Sequence, residues 1–320
     1  MFESQSPLVR LDAGNQRALS GQFDPAASLP EQARQAPYYG FVEVRLPGAR
    51  PFLMFSNNDD VVAQHFLYGR QMFEAASLRL WVALARSART VIDGGAFTGI
   101  FSLATRATNP AAQVWAFEPS LNTFSRLVTN IWANRFDDTI APVMAALGDK
   151  KERASIRHPF GLYVLGSGES ILKEVVHDAW YEEDIEVIPG DEFEAVRLAS
   201  PRRFVIDRPF GDVDLIKLDV EGFEPRVLDG MKQLLSTTRP TLLAEFRDDE
   251  TLRAIEQRLP AGSKVYFVDD DGLALRREPC DYALVNHQNL LAVMRDDLDV
   301  EALCHTAGVF LDAPSARKYA

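Results

Sequence analysis

Hydrophobic and polar positions along this chain follow two rhythms. Short apolar runs at residues 90–93, 113–118, 140–147, 213–219, 241–246, 264–268 and 289–294 read as strands. Between them, apolar residues recur at three- and four-residue spacing, which reads as helix. One such stretch runs through Ile100, Phe101, Leu103 and Ala104. A second, over residues 120–134, puts Leu121, Phe124, Leu127, Val128 and Ile131 on one side, and two more cover 225–235 and 251–259. The run at 213–219 is almost continuously apolar, as expected of a strand buried on both faces. Regular alternation of this kind predicts an α/β fold: a seven-stranded, mostly parallel sheet with helices on both faces.

The flanks follow other patterns. Residues 1–37 are polar and read as a partly ordered arm. Residues 39–55 alternate around Pro47-Gly48, which predicts a hairpin, and 59–89 read as mainly helical, with Leu78, Trp81, Val82 and Ala85 at helical spacing. The expected organisation is an N-terminal arm, hairpin and helical lead-in over 1–75, the sheet domain over 76–296 and a tail over 297–320. Within the sheet domain, 150–212 is too long for a plain crossover. It holds Gly166-Ser167-Gly168, Tyr163, Trp180, Tyr181, His158, His177 and the acidic run Glu182-Glu183-Asp184, and reads as an insert that forms a lid, mobile over 160–190. The acidic run reads as a solvated face.

Composition narrows the partners. The chain has 320 residues and a formal net charge of -12. That balance argues against a nucleic-acid partner or an anionic membrane surface, both of which call for basic patches. Cys280 and Cys304 make neither a disulfide framework nor a zinc pair. The opening MFESQSPLVRLDAG has no basic region followed by an apolar core, and no apolar run is long enough to span a bilayer. The expectation is a cytoplasmic protein with no membrane span; assembly as a homo-oligomer is compatible with this composition.

The candidate chemistry begins at VIDGGAFTG, residues 91–99, where a strand ends in Asp93 and a glycine turn leads into a helix. Glycine lets backbone approach a bound cofactor where a Cβ would collide. An aspartate beside that turn repels a pyrophosphate, and the dinucleotide fingerprint G-x-G-x-x-G is not present. S-adenosyl-L-methionine has no phosphate and carries a sulfonium and an ammonium, so an acidic turn suits it. Asp93 either pairs with that ammonium or caps the helix behind it. Glu118, at the end of the second strand and followed by Pro119, is placed to accept two ribose hydroxyls. Asp219 and Glu221 end the fourth strand, the edge at which ligands bind in open α/β sheets. Lys217 shares a face with Asp219 and, in a buried strand, needs a carboxylate partner, which Glu245 offers.

Several separate motifs occur in order: VIDGGAFTG, WAFEPS at 115–120, Asn130 with Asn134, ALGD at 146–149, DLIKLDVEGFE at 214–224 and RPTLLAEF at 239–246. Together they resemble the FkbM-type methyltransferases over roughly residues 60–295. The chain differs from many members at Phe97 and Thr98. The resemblance implies a Rossmann-like class I methyltransferase sheet and S-adenosyl-L-methionine as cofactor. It implies a cofactor site at Asp93, Gly94, Gly95, Ala96, Gly99, Glu118, Pro119, Asp149 and Asp219, with Asp149 beside the adenine. It also implies a small hydroxylated acceptor, a sugar, glycan or natural product, in a biosynthetic setting. For the group that polarises the acceptor hydroxyl, Asp219, Glu221 and His177 are the candidates. No metal is expected, because the Lys217 charge would exclude one. Other readings are methylation of a peptide, carboxylate or amine, a nicotinamide oxidoreductase, or a non-catalytic binding module on the same fold. Asn130 and Asn134 serve equally as caps, packing contacts or ligands.

Overall fold

The computed structural model describes residues 7–69, 72–159, 180–192, 212–279 and 288–312. The N-terminal segment folds as α1 (Pro7–Leu19), α2 (Leu29–Gln35), a hairpin of β1 (Tyr39–Val44) and β2 (Phe52–Asn57), and α3 (Val61–Tyr68). The arm, read as partly ordered, carries two helices. Alternation in the hairpin buries Val42, Val44, Phe52 and Met54 on one face. Asp60 caps α3, accepting from Val62 N and Ala63 N at 2.9 and 3.1 Å. The helical stretch expected over 59–89 is two helices, α3 and α4 (Ala75–Ala85).

The alternating core follows as β3 (Thr90–Gly94), α5 (Ile100–Thr108), β4 (Gln113–Phe117), α6 (Leu121–Ala133) and β5 (Ile140–Val143). The chain then leaves the sheet for β6 (Ala146–Gly148), β7 (Glu152–Pro159) and β8 (Trp180–Pro189). It returns with β9 (Leu215–Leu218), α7 (Glu224–Asp229), α8 (Lys232–Thr238), β10 (Thr241–Phe246), α9 (Asp249–Glu256), β11 (Lys264–Asp269), β12 (Ala274–Arg276), β13 (Gln288–Val293), α10 (Val300–Ala307) and β14 (Phe310–Leu311).

The main sheet has nine strands in the order β14-β12-β11-β13-β10-β9-β3-β4-β5. The five from β10 to β5 run parallel, and β13 is antiparallel to both its neighbours. The seven strands expected are therefore joined by β12 and β14, two short strands at one side of the sheet whose few residues set up no readable period. Residues 297–312, read as part of a tail, supply α10, capped by Asp299, and the edge strand β14.

Alternation along the strands sends side chains to two cores. Val91 and Leu215 join one with Leu78, Trp81, Leu103, Leu127 and Leu303; Ile92 and Ile216 join the other with Val227, Leu235 and Ile255. The sheet is thus covered on both faces. The central strands β9, β10 and β13 are buried at every position, matching their near-continuous apolar sequences.

Two expected elements break where long-range contacts intervene. The third strand, read as 140–147, ends at Val143; after the exposed Met144 the chain resumes as β6 in a second, three-stranded sheet with β8 and β7. The helix read at 225–235 splits at Gly230, where a Cβ would lie 1.8 Å from the Gly148 carbonyl oxygen. Asp191 then caps α8, accepting from Gln233 N and Leu234 N at 2.8 and 2.7 Å. In its described part the insert carries an antiparallel ribbon of β7 and β8. Among the described residues no helix is long and apolar enough to cross a membrane.

Candidate active site

The carboxyl ends of β3, β4, β9 and β10 lie side by side, so the residues ending those strands share one edge. The glycine turn after β3 is built against the loop after β9. Gly95 has φ +76°, and a Cβ there would sit 1.8 Å from the Asp219 carbonyl oxygen. Phe97, at φ 49°, holds a left-handed conformation without being glycine. Such strain is stored where the surroundings over-determine the backbone.

The N–H groups of Gly95, Ala96, Phe97 and Gly99 in this turn are engaged within the protein. Gly95 N and Ala96 N donate to Phe117 O at 3.0 and 2.8 Å, and Gly99 N donates to Ala96 O at 2.8 Å. Phe97 N donates to Glu118 Oε2 at 3.0 Å. At the start of α5, Ser102 donates to Asp93 Oδ2 from its backbone at 3.0 Å and from its hydroxyl at 2.5 Å. A phosphate cradle needs free, convergent N–H groups at a helix N-terminus. Here those of Gly95, Ala96, Phe97, Gly99 and Ser102 already serve two carboxylates and the backbone.

Both carboxylates are buried, and burial raises both. Asp93 is pushed up to about 6, opposed by Ser102 and Lys217. Glu118 is pushed up to about 7, opposed by its bonds from Thr123, Ser120 and Phe97. Glu118 Oε1 accepts from Ser120 N at 2.9 Å and Thr123 Oγ1 at 2.7 Å. With three bonds counted, a carboxylate retains acceptor capacity. Pro119 links Glu118 to Ser120, the residue before α6. Glu183 of β8, read as part of a solvated face, accepts from Leu121 N at 2.7 Å at the first turn of α6. Asp149 follows β6, and its Oδ1 accepts from Arg226 Nε and Nη2 at 3.0 and 2.7 Å. That bonding holds Asp149 below the ordinary carboxylate range.

Asn130 and Asn134 are packing residues. Asn130 Oδ1 accepts from Phe55 N at 2.7 Å, and its Nδ2 donates to Thr98 O at 2.8 Å. Asn134 pairs with Leu53, accepting from its N at 2.8 Å and donating to its O at 2.7 Å. One helical turn apart, they mimic a strand and fasten the edge of β2 to α6.

A connected group of ionisable and polar residues surrounds Lys217. Its side chain is 1% exposed, while that of Asp219 is 28% exposed. Lys217 Nζ lies 3.3 Å from Asp219 Oδ2 and 3.4 Å from Asn289 Oδ1, and 5.0 Å from the Phe101 ring centre. Asn289 Nδ2 donates to Glu74 Oε2 at 3.0 Å and to Ser77 Oγ at 3.1 Å. Ser77 donates to Asp270 from N at 2.8 Å and from Oγ at 2.9 Å. Burial alone would lower the lysine; Asp219, Glu74, Glu245 and Asp93 together hold it above its ordinary value. Glu245 is raised by burial and then by the charge of Asp219, to which it is hydrogen-bonded.

Glu224 organises the loop between β9 and α7, its Oε1 accepting from Val220 N at 2.9 Å and Gly222 N at 3.3 Å. Burial pushes Glu224 up to about 6. Glu221, at φ 61°, is ion-paired with Arg247.

Asp93, Gly94, Gly95, Ala96, Glu118, Asp219 and Glu221 therefore gather at one edge. Asp149 is bonded to Arg226 of α7. His177 and Tyr163 lie outside the described residues. His158, Trp180 and Tyr181 stand on the β7–β8 ribbon, where His158 pairs with Tyr181 and Pro159 with Trp180. Sequence reasoning missed Glu74, Ser77, Asp270 and Asn289, which arrive from elements far apart in the chain. Among the described residues no group of three or more His, Cys, Asp or Glu could hold a metal.

The family profile described as Methyltransferase FkbM domain matches residues 93–270. No curated protein matches the chain. Among solved structures, a methyltransferase FkbM from Methylobacillus flagellatus KT is 16% identical with a TM-score of 0.39; the match covers 89% of this chain and 59% of that one. A precorrin-6y C5,15-methyltransferase from Geobacter metallireducens GS-15 is 11% identical with a TM-score of 0.39, covering 68% of this chain and 87% of that one. A SAM-dependent O-methyltransferase from Thermotoga maritima is 11% identical with a TM-score of 0.38, covering 72% and 69%. Likenesses at this level carry no weight for chemistry.

Proposed function

Since this chain belongs to the FkbM methyltransferase family, we propose that it is an S-adenosyl-L-methionine-dependent O-methyltransferase acting on a hydroxyl of a sugar, glycan or natural-product acceptor. One observation carries the choice of cofactor. The N–H groups of Gly95, Ala96, Phe97 and Ser102 go to the Phe117 carbonyl, Glu118 and Asp93, so the place where a dinucleotide would rest its pyrophosphate is lined by two acids that already take part of its hydrogen-bonding capacity. A phosphate-free, cationic cofactor fits that turn. When bound, it supplies an electrophilic methyl group on sulfur.

In this reading Glu118 receives the ribose hydroxyls with its remaining acceptor capacity. Asp93 and the turn at Gly94, Gly95 and Ala96 line the amino-acid end, and Gly99 and Pro119 frame the turn and the strand end. Asp149 stands at the adenine side, oriented by Arg226. Asp219 accepts the hydrogen bond of the acceptor hydroxyl and takes its proton as the methyl group transfers. Alignment of acceptor oxygen, methyl carbon and sulfur is the larger part of the catalysis. Glu221, tethered by Arg247, holds the loop that carries Asp219, and His177 is a second candidate base.

Calorimetry with S-adenosylhomocysteine and with NAD tests this reading. S-adenosylhomocysteine should bind and NAD should not, and Glu118→Ala should weaken the former by roughly 1–3 kcal/mol. Binding of NAD without S-adenosylhomocysteine would overturn the reading.

A further inference from the structure

Lys217 is a charge that no step above uses, buried at the point where the candidate base stands. We infer that Lys217 is a positioning residue: its ammonium fixes Asp219 as the ionised, acceptor-facing carboxylate of the site, and Asn289 and Phe101 fix Lys217 from behind. The inference rests on Asp219 being the acceptor-facing group of a methyltransferase.

The argument starts from the strand. Lys217 is paired in register with Asp93 of β3 on one side and Leu243 of β10 on the other, in the middle of the sheet. An ammonium there is retained only if it is paired, since an unpaired buried charge costs several kcal/mol. Its nearest carboxylate is that of Asp219, two residues on and on the same face, with Nζ to Oδ2 at 3.3 Å. Asn289 on β13, at 3.4 Å, and the Phe101 ring on α5, at 5.0 Å, set the ammonium's position. Asn289 is itself anchored by Glu74 and Ser77, and Ser77 by Asp270.

The carboxylate needs that help. Glu74 at the start of α4, Asp93 on β3, Glu224 on α7 and Glu245 on β10 all act electrostatically on Asp219. Each of them, when charged, favours a protonated Asp219. A protonated Asp219 could not accept a proton from a hydroxyl. Lys217 supplies the cation in direct contact with it, and Glu245, bonded to Asp219 and raised by burial, serves as a donor. The exposure of Asp219, against the burial of Lys217, leaves the carboxylate as the member of the pair that an acceptor can reach.

Carboxyl carbon-13 NMR titration of the free full-length protein tests this, with the Asp219 signal assigned by its loss in Asp219→Asn. Lys217→Met should raise the Asp219 titration midpoint by about 1–3 pH units over wild type, the range expected when an opposite charge within a few ångströms is removed. Lys217→Arg should restore most of that shift. Should Lys217→Met not fold, Asn289→Ala loosens the ammonium and should move the midpoint in the same direction by a smaller amount. A folded variant with an unmoved midpoint overturns the inference, whatever its melting temperature. S-adenosylhomocysteine binding by the wild type is measured alongside. Its absence defeats the methyltransferase reading, whereas intact binding with an unmoved midpoint defeats only the role of Lys217.

Discussion

At the scale of the residue, Gly95 shows how a motif can be right for a reason other than the one its sequence suggests. A glycine turn after the first strand reads as room for a cofactor. The group that a Cβ would strike is the Asp219 carbonyl oxygen, 1.8 Å away, so the glycine is required by the protein itself. Gly222 is a useful contrast, because it is also left-handed, at φ +93°, yet has nothing within 4 Å of an added Cβ. Gly222→Ala should cost only the left-handed penalty, about 1–2 kcal/mol. Gly95→Ala adds a backbone collision and should lower stability by more than about 2 kcal/mol. Urea denaturation of the two variants checks the order; equal losses would mean that the turn moves freely away from Asp219. Loss of cofactor binding in a Gly95 variant therefore does not by itself locate the cofactor.

At the scale of the element, the pair Asn130 and Asn134 joins the hairpin to the sheet domain. Their one-turn spacing on α6 is visible in the sequence. Their partners, the backbone of Phe55 and Leu53, are not, because the contacts span 75 and 81 residues of chain. Asn134→Ala removes both bonds to Leu53 and should destabilise the docked hairpin by roughly 1–3 kcal/mol. Hydrogen exchange should then quicken at the Leu53 amide, and Asn130→Ala should do the same at Phe55. Unchanged protection at both would mean that β2 is held by its apolar face alone. The second sheet follows a similar logic. Arg226 of α7 ties Asp149 and Glu152 together, and Asp191 caps α8, so the insert is fastened to the helices after β9 by charged side chains that no periodicity reports.

At the scale of the whole molecule, burial of acids gives stability a defined slope with pH. Asp60, Asp93 and Glu224 are raised to about 6 and Glu118 to about 7, in each case first by burial. The folded chain therefore keeps protons that the unfolded chain releases above pH 4 or so. The stability from these groups is full below their unfolded values and is lost as pH rises through 6 to 7. Surface acids held low by partners, such as Asp229 and Asp248, act the other way and lose their contribution only as pH falls below the ordinary carboxylate range. The cofactor-free protein should thus melt highest near pH 5 and progressively lower towards pH 8, with the net charge of -12 adding repulsion on the same side. Melting followed by circular dichroism across that range checks the sign; a midpoint rising from pH 5 to 8 would mean that these carboxyls are ionised in the fold.

What the sequence determined by itself is whatever depends on near neighbours. Apolar period placed β3, β4, β9, β10 and β13 and the helices α5 and α6, because burial on one or both faces writes itself into consecutive residues. The strand-end acids Asp93, Glu118 and Asp219 were legible for the same reason: the residue after an apolar run sits at the sheet edge. Only the tertiary structure decided where those acids direct their oxygens. Asp93 meets a serine nine residues on, Glu118 is shared by the glycine turn and α6, and Asp219 answers to a lysine whose own support comes from Asn289, 72 residues away. Asn289 in turn reaches Glu74 across 215 residues. A pairing of that range has no local period and no propensity. It exists because a buried polar group must find a partner wherever the fold brings one within reach.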